Sequence, residues 1–171
     1  MTSLAEELFD AAVEWLKKHY RDYTFYLERD LVWTLQCRLR DDIGNHRAPL
    51  QVFNDYPILA GKRRSLSADL ALVSTGEQTR GQVELAAEFK YEPAHNRLDV
   101  LPSKLPVVFW GNDGVGKDVE RIQTIVREKR ALVAHALFVD EGGAFRHRQP
   151  HPQSHWESWG GGIWVLRSRA E

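Results

Sequence analysis

The segments SADLALV (residues 67–73) and ELAAEFKYE (residues 84–92) decide the fold of this 171-residue chain. Asp69 interrupts an otherwise apolar run in the first segment, and charged and apolar residues alternate in the second. Because successive side chains of a β-strand point to opposite faces, one face of the second segment is apolar and the other is polar. The polar face carries Glu84, Ala86, Glu88 and Lys90. We therefore predict two neighbouring strands with charged side chains inside a small sheet.

The sequence on either side of these segments gives the order of the elements. Apolar residues at helical spacing predict helices, and apolar or alternating runs bounded by turn residues predict strands. The predicted helices cover residues 3–19, 27–43 and 115–130, and the predicted strands cover residues 49–58, 64–74, 80–92, 131–140 and 163–167. The segment PVVFW (residues 106–110) is a further candidate for a short strand, and residues 141–162 are expected to form a long loop. This order predicts a single domain of the mixed α/β (α+β) class.

The composition restricts the function classes. The formal net charge is −1, so the chain lacks the overall basic excess of a nonspecific nucleic-acid binder. No apolar run has the length of a membrane span, the N-terminal residues lack the pattern of a secretory signal, and a single cysteine rules out an internal disulfide framework. We expect a cytoplasmic protein without a membrane partner. The basic cluster Lys62, Arg63 and Arg64 is a candidate nucleic-acid contact, with an ordinary solvated surface as the alternative.

The charged residues of the predicted sheet need a physical explanation. Burying a charge in a small sheet is costly unless the charge is paired or binds a metal ion. One interpretation is a ladder of salt bridges formed by Glu84, Glu88 and Lys90 on an exposed face. The other is a site at which these charged side chains bind a metal ion.

Asp69, followed about twenty residues later by Glu88-Phe89-Lys90 on the next strand of a hairpin, resembles the motif of the PD-(D/E)XK nuclease superfamily. The core of that superfamily, the restriction-endonuclease-like fold, has the order helix, three strands, helix, strand. The order predicted for residues 27–140 matches it, with residues 1–20 as an extra N-terminal helix. Ala68 stands where the motif usually has a proline. The resemblance implies a restriction-endonuclease-like core in αβββαβ order inside one domain.

The resemblance also implies a function, the hydrolysis of phosphodiester bonds in DNA with a divalent metal ion. Asp69 and Glu88 would be the ligands of Mg²⁺ or Mn²⁺, and the main-chain carbonyl of Phe89 would also be available to the metal. Lys90 would position or help to deprotonate the attacking water and would stabilise charge on the phosphate. These residue types suit the chemistry, because hard divalent cations prefer carboxylate and water oxygens and activate a bound water.

Glu28 is a fourth candidate catalytic residue. It shares a helical face with Leu31, Val32 and Leu35, so we expect it to point toward the sheet. The superfamily that the chain resembles often has a glutamate on this helix, directed at the metal site. The alternative is a carboxylate that stands at a helix start because the helix dipole favours it there.

The stretch VVFWGNDGVGKD (residues 107–118) has the glycine and lysine spacing of a P-loop. Asp118 stands where a P-loop needs a hydroxyl group, and too few strands follow to build a nucleotide-binding sheet. We therefore expect no nucleotide cofactor and interpret the stretch as a turn into the third predicted helix. Lys117 at that helix start is a candidate contact for a nucleic-acid backbone.

Two groups of aromatic and histidine residues remain. Trp15 and Trp33 are expected in the core, whereas Trp156 and Trp159 in the long loop are expected to pack back on the domain, with stacking on bases as the alternative. The spacing of His147, His151 and His155 would suit a metal-binding helix, but Pro150 and Pro152 forbid that helix.

We predict a magnesium-dependent nuclease with DNA as its partner, either as a monomer or as a homodimer. The first alternative is a nuclease fold that no longer cleaves and serves as a binding or assembly module, which the near-neutral charge favours. The second alternative is a small-molecule or nucleotide binder that uses the turn at residues 111–118.

Overall fold

A computed structural model of the chain describes residues 2–61, 66–101 and 104–171. One mixed β-sheet is flanked by α-helices on both faces. The helices are α1 (Leu4–His19), α2 (Glu28–His46) and α3 (Val115–Arg127), and the strands are β1 (Leu50–Leu59), β2 (Leu66–Ser74), β3 (Val83–Glu92), β4 (Val133–Asp140), β5 (Ser154–Gly160) and β6 (Ile163–Ala170). Within these described ranges, no helix is both long and apolar enough to cross a membrane. The predicted single-domain mixed α/β fold is confirmed.

The sheet has the strand order β1-β2-β3-β4-β6-β5. The meander β1-β2-β3 is antiparallel, β3 and β4 run parallel, and β6 and β5 complete the sheet in antiparallel fashion. A parallel pair needs a crossover connection, and α3 supplies it between β3 and β4. The carboxyl ends of β3 and β4 therefore meet at one edge of the sheet.

The two faces of the sheet bury different helices. On one face, α1 and α2 cover a large apolar cluster that includes Leu70, Leu85 and Phe89. On the other face, α3 covers a smaller cluster that includes Ala71 and Ala86. The small side chains beneath α3 let that helix approach β3 and β4 closely, which brings its first turns next to the charged residues of β3.

The start of α2 is fixed by Asp30. Its Oδ2 accepts hydrogen bonds from the backbone N–H groups of Tyr26 (2.8 Å) and Leu27 (2.9 Å), which would otherwise be unpaired. The helix then begins at Glu28, and Leu31, Val32, Leu35 and Leu39 form its buried stripe, as the spacing predicts. Glu28 therefore lies in the first turn, at the edge of the sheet.

The glycine-rich turn before α3 has a steric explanation. Gly114 packs so tightly against the backbone of Phe109 that a Cβ atom there would overlap the carbonyl group of Phe109. Residues 106–110, a candidate strand, do not form one; they run as an irregular segment. The turn leads into α3, as predicted.

The prediction of a long loop over residues 141–162 is wrong in its second half. Residues 154–160 form β5, which pairs with β6, and β6 extends over residues 163–170, beyond the predicted 163–167. Gly161 (φ 60°) and Gly162 (φ 90°) make the tight turn between these strands. Because β5 is an edge strand with mostly partly exposed side chains, its sequence carries no apolar period.

The tryptophans separate into two groups. Trp156 stacks on Trp110 with 5.8 Å between ring centres, and Trp159 packs edge-on against Tyr20, so both pack back on the domain. Trp33, predicted in the core, is instead 63% exposed, which corrects that prediction. It occupies the solvent side of α2, where the apolar stripe does not reach.

Candidate functional site

Strands β2 and β3 part at Asp69. Their ladder extends only as far as the pair Leu70 and Ala87, and beyond it β2 continues along β1 while β3 continues along β4. The backbone N–H of Phe89, which has lost its strand partner on this side, donates to Oδ2 of Asp69 at 2.7 Å. The carboxylate of Asp69 is thereby held in the fork between the two strands.

The structure brings Asp69, Glu88 and Lys90 to the same face of the sheet. Asp69 is two residues from Ala71, and Glu88 is two residues from Ala86, and both alanines pack beneath α3. The continued register places Asp69 opposite Glu88 across the fork. Alternation then places Lys90 next to Glu88 on the same side of β3.

The ammonium group of Lys90 joins three elements. Its Nζ lies 3.2 Å from Oε2 of Glu28 on α2, 3.0 Å from Oδ2 of Asp118 on α3, and 2.9 Å from the carbonyl oxygen of Phe89, to which it donates. Burial alone would lower the pKa of Lys90, but the nearby carboxylates of Asp118 and Glu28 raise it above its ordinary value. The lysine is therefore held as a protonated cation.

Glu88 is the most deeply buried carboxylate of the site, with 1% of its surface exposed. Its Oε2 accepts a hydrogen bond from Arg121 on α3 at 2.7 Å, and its Oε1 is buried without a hydrogen-bond partner in the part of the chain that the structure describes. Burial first, and then the charge of Asp69, raise the pKa of Glu88 to about 9, against the opposing charge of Arg121. A second cation near Oε1 would favour the ionised form.

Two further carboxylates of the site, Glu28 and Asp69, also have shifted pKa values. Burial raises the pKa of Glu28 to about 7, and the charges of Asp69 and Asp118 add to this shift while Lys90 opposes it. Burial likewise raises the pKa of Asp69, against the hydrogen bond from the Phe89 N–H and the charge of Lys90. The site thus holds two cations, Lys90 and Arg121, and is partly shielded from solvent. Its four carboxylates are Glu28, Asp69, Glu88 and Asp118. Such clusters of perturbed groups are typical of functional sites.

The salt-bridge ladder considered as an alternative does not form among the described residues. Lys90 pairs with Glu28 and Asp118 from the two helices, and Glu88 pairs with Arg121. Glu84 has no ion-pair partner within the described ranges and stands apart from the site. The charged face of β3 is therefore organised by α2 and α3, not along the strand.

A cleft of about 1050 Å³ opens beside these residues, and Glu28, Asp69 and Lys90 contribute to its lining. Its walls come from the start of α2, Asn54 and Asp55 of β1, and the segment between β3 and α3. Exposed apolar side chains surround its mouth; they are Tyr26, Leu27, Trp33, Leu101 and Val107. The candidate site is thus accessible from a largely apolar surface.

The pair Asp69 and Glu88 fits a hard cation in part. Among the described residues, no group of three or more His, Cys, Asp or Glu side chains is gathered as a metal site. However, Mg²⁺ in proteins is commonly held by one or two carboxylates, with water and substrate oxygens completing its shell. The unpartnered Oε1 of Glu88 and the raised pKa of both carboxylates are the features that a cation between them would relieve. We conclude that the donor set suits a loosely held magnesium ion.

Of the candidate nucleic-acid contacts, Lys117 is not part of this cluster. Lys117 is exposed on α3, whereas Asp118 beside it points into the site. Lys62, Arg63 and Arg64 lie outside the described residues.

Sequence reasoning missed Asp118 and Arg121. Asp118 counted only as the residue that breaks a P-loop pattern, although it lies four residues before Ile122 on the buried face of α3. The helical spacing that places Glu28 on the buried face of α2 also places Asp118 on the buried face of α3, so the same pattern indicates both residues. Arg121 follows one turn later on the same side, and nothing in its local sequence marks it.

Comparisons of the chain with models of protein families, with curated proteins and with solved structures found no match.

Proposed function

We propose that this protein hydrolyses phosphodiester bonds in DNA with the help of Mg²⁺ or Mn²⁺, in the manner of the PD-(D/E)XK nucleases that its motif resembles. The observation that carries the proposal is the convergence of Glu28, Asp69, Glu88 and Lys90 from three elements at a strand fork beside an open cleft. The order α2, β1, β2, β3, α3, β4 supports the proposed restriction-endonuclease-like core.

Asp69 and Glu88 would hold the metal ion. When bound, the ion would polarise the phosphate and lower the pKa of a water molecule. Lys90 is best suited to stabilise negative charge on the phosphate, because its raised pKa keeps it protonated and excludes it as a base near neutral pH. Asp118 on α3 and Glu28 on α2 hold the ammonium in position.

Glu28 is best suited to accept a proton from the attacking water. A general base works best when its pKa lies near the working pH, and the pKa of Glu28 is raised to about 7. Glu28 lines the cleft, whereas Glu88 is buried and paired with Arg121. The four residues would thus divide into metal ligands, a fixed cation and a base.

A binding module without cleavage is the second candidate. It is favoured by the contact of Lys90 with the Phe89 carbonyl, which occupies a potential metal ligand, and by the deep burial of Glu88. In that case the ion pairs of Lys90 would serve to join α2, α3 and the sheet.

The test is cleavage of single-stranded, duplex and branched DNA and of RNA, with Mg²⁺ or Mn²⁺ and with a chelator. We expect cleavage only with metal, and losses of about a hundredfold or more for Lys90→Met and Glu28→Gln. Asp69→Asn should lose both cleavage and the rise in melting temperature that Mn²⁺ causes. Lys18→Met and Asp41→Asn, at exposed positions of α1 and α2, are the matched controls and should retain activity.

Folding of each variant is checked by near-ultraviolet circular dichroism, because Lys90→Met leaves Glu28 and Asp118 without their shared cation. If folded wild-type protein cleaves no substrate with any metal, and Mn²⁺ leaves its melting temperature unchanged, the nuclease proposal is wrong and the binding module is the better account.

A further inference from the structure

The cleft beside the candidate site carries one tryptophan whose ring is not used by the fold. Five of the six tryptophans pack against another aromatic ring or lie under a guanidinium group; they are Trp15, Trp110, Trp156, Trp159 and Trp164. In the part of the chain that the structure describes, no ring or guanidinium stacks on Trp33, which is 63% exposed and lines the cleft. Trp33 belongs to the group of exposed apolar side chains around the cleft, together with Tyr26, Leu27, Leu101 and Val107, and a contiguous exposed apolar patch is typical of an interaction site.

The surroundings of Trp33 indicate the kind of ligand. Arg29 lies one helical turn before Trp33, so both side chains project from the same side of α2, and both line the cleft. Lys104 contributes a second exposed cation on the opposite wall. A flat ring with a guanidinium one turn away offers a stacking surface for a nucleobase and a partner for the adjoining phosphate.

The charges of the cleft disfavour duplex DNA. The described residues of its lining include four carboxylates (Glu28, Asp55, Asp69 and Asp99) against three cations (Arg29, Lys90 and Lys104). Affinity for a duplex comes mainly from neutralising phosphates, which such a lining does not do. Bases inside a duplex also cannot present their faces to Trp33. The volume of about 1050 Å³ is at the upper end of small-ligand pockets, so it suits a few nucleotides.

We propose that the cleft binds unpaired nucleotides, at single-stranded segments or frayed ends, with a base stacked on Trp33 and a phosphate at Arg29. This inference rests on the proposed function for its choice of ligand, and it names the substrate class of the same site. The stacked base would leave the neighbouring phosphodiester facing Asp69 and Lys90, which line the same cleft.

The test measures binding without cleavage, in the presence of a chelator. Fluorescently labelled single-stranded DNA and RNA, a blunt duplex and a duplex with a single-stranded overhang are titrated against the full chain, and anisotropy gives each Kd. We expect the single strand and the overhang to bind at least about tenfold more tightly than the blunt duplex, because only unpaired bases can stack on an aromatic side chain. Comparison of the DNA and RNA strands decides between these two sources of unpaired bases.

Two substitutions at one position separate stacking from apolar contact. Trp33→Leu should weaken binding of the single strand about tenfold, whereas Trp33→Phe, which keeps an aromatic face, should weaken it by less than about threefold. The matched control is Leu132→Ala, which shortens a 51% exposed apolar side chain beside the opposite end of β4 and should not change the Kd. A Trp33→Leu protein that binds like the wild type, or a preference for the blunt duplex, would overturn the proposal.

Failure of this inference and failure of the proposed function give different results. If the single strand binds through Trp33 but nothing is cleaved with metal, the cleft is a nucleic-acid site and the nuclease proposal fails. If DNA is cleaved but Trp33→Leu cleaves single-stranded and duplex substrates at wild-type rates, the nuclease proposal holds and the role of Trp33 fails. If no nucleic acid binds at all, the apolar cleft serves another class of partner and the inference is wrong.

Discussion

Among single residues, Glu88 has the least favourable electrostatic position. One of its oxygens faces Arg121, the other is buried without a partner among the described residues, and Asp69 stands opposite across the strand fork. A carboxylate in such a place costs stability in its ionised form. This cost is acceptable where the charge is needed for function, and it makes the ionisation of Glu88 measurable through the stability of the whole protein.

Stability should therefore fall as the pH rises. The pKa of Glu88 is about 9 in the folded protein against an ordinary value of 4.5, so between these values the folded protein binds more protons than the unfolded chain does. A group of this kind stabilises the fold at low pH, and that contribution is lost as the pH rises toward the folded-state pKa. We expect Glu88→Gln to reduce the loss of unfolding free energy between about pH 6 and pH 9 by at least about 1 kcal/mol.

The measurement is urea unfolding at several pH values in the presence of a chelator. Glu84→Gln, four residues earlier on the same face of β3 and partly exposed, is the matched control and should keep the wild-type dependence. A Glu88→Gln protein with the same pH dependence as the wild type would show that Arg121 keeps Glu88 ionised throughout.

Among the elements, the segment between β3 and α3 depends most on single side chains. It forms one wall of the cleft, and its described residues include no β-strand and no α-helix. The buried carboxylate of Glu92, at the end of β3, accepts hydrogen bonds from the N–H groups of Val107 and Val108, both at 2.8 Å, and its other oxygen contacts His95 at 2.6 Å. These hydrogen bonds to Glu92 thus attach the segment to the end of β3.

Substitution of Glu92 should loosen this wall selectively. We expect Glu92→Ala to speed amide hydrogen exchange at Val107 and Val108 and to lower the unfolding free energy by about 1 to 3 kcal/mol, because the buried N–H of Val108 and the partly buried N–H of Val107 lose their acceptor. The matched control is Asp140→Ala on β4. Asp140 pairs with Glu92 in register and accepts from the N–H groups of Ala144 and Phe145, so its loss should loosen that turn instead. Equal effects of both substitutions on both segments would contradict the separate roles.

For the whole molecule, the low net charge is the property that bears most on function. The formal net charge is −1, because basic and acidic residues are nearly equal in number. The protein as a whole therefore exerts no long-range attraction on a polyanion. Any nucleic acid must then be held by short-range contacts in the cleft. The proposed stacking on Trp33 and the few cations of the lining are contacts of that kind.

Binding of single-stranded DNA should therefore depend weakly on salt. If one or two phosphates are neutralised, the Kd should rise by less than about tenfold between about 50 and 200 mM salt, since the dependence on a logarithmic scale is about 0.7 per phosphate for single strands. Arg29→Gln should reduce the dependence further. Arg40→Gln, about three turns further along α2, is outside the cleft lining and serves as its control. A loss of about a thousandfold would mean that phosphate contacts dominate.

Local sequence determined the elements that have a regular apolar pattern. The alternation in β3, the apolar stripe of α2 and the buried run of β4 each reflect burial by immediate neighbours, so helices, meander and crossover could be predicted in order. The two-residue alternation of side chains along β3 also predicts that Glu88 and Lys90 share a face, because this alternation holds in any β-strand. The sequence pattern did not predict β5, because an edge strand is not required to alternate between apolar and polar side chains.

Only the tertiary structure decided the partners of these charges. The fork that places Asp69 against the Phe89 N–H arises because β2 follows β1 while β3 follows β4, and no local pattern records where two strands part. Asp118 and Arg121 reach the site because small side chains beneath α3 let it approach the sheet. Ion pairs between residues far apart in sequence follow from packing, whereas the period of a strand or helix follows from the backbone. For this reason the sequence predicts the candidate catalytic residues better than it predicts their ion-pair partners.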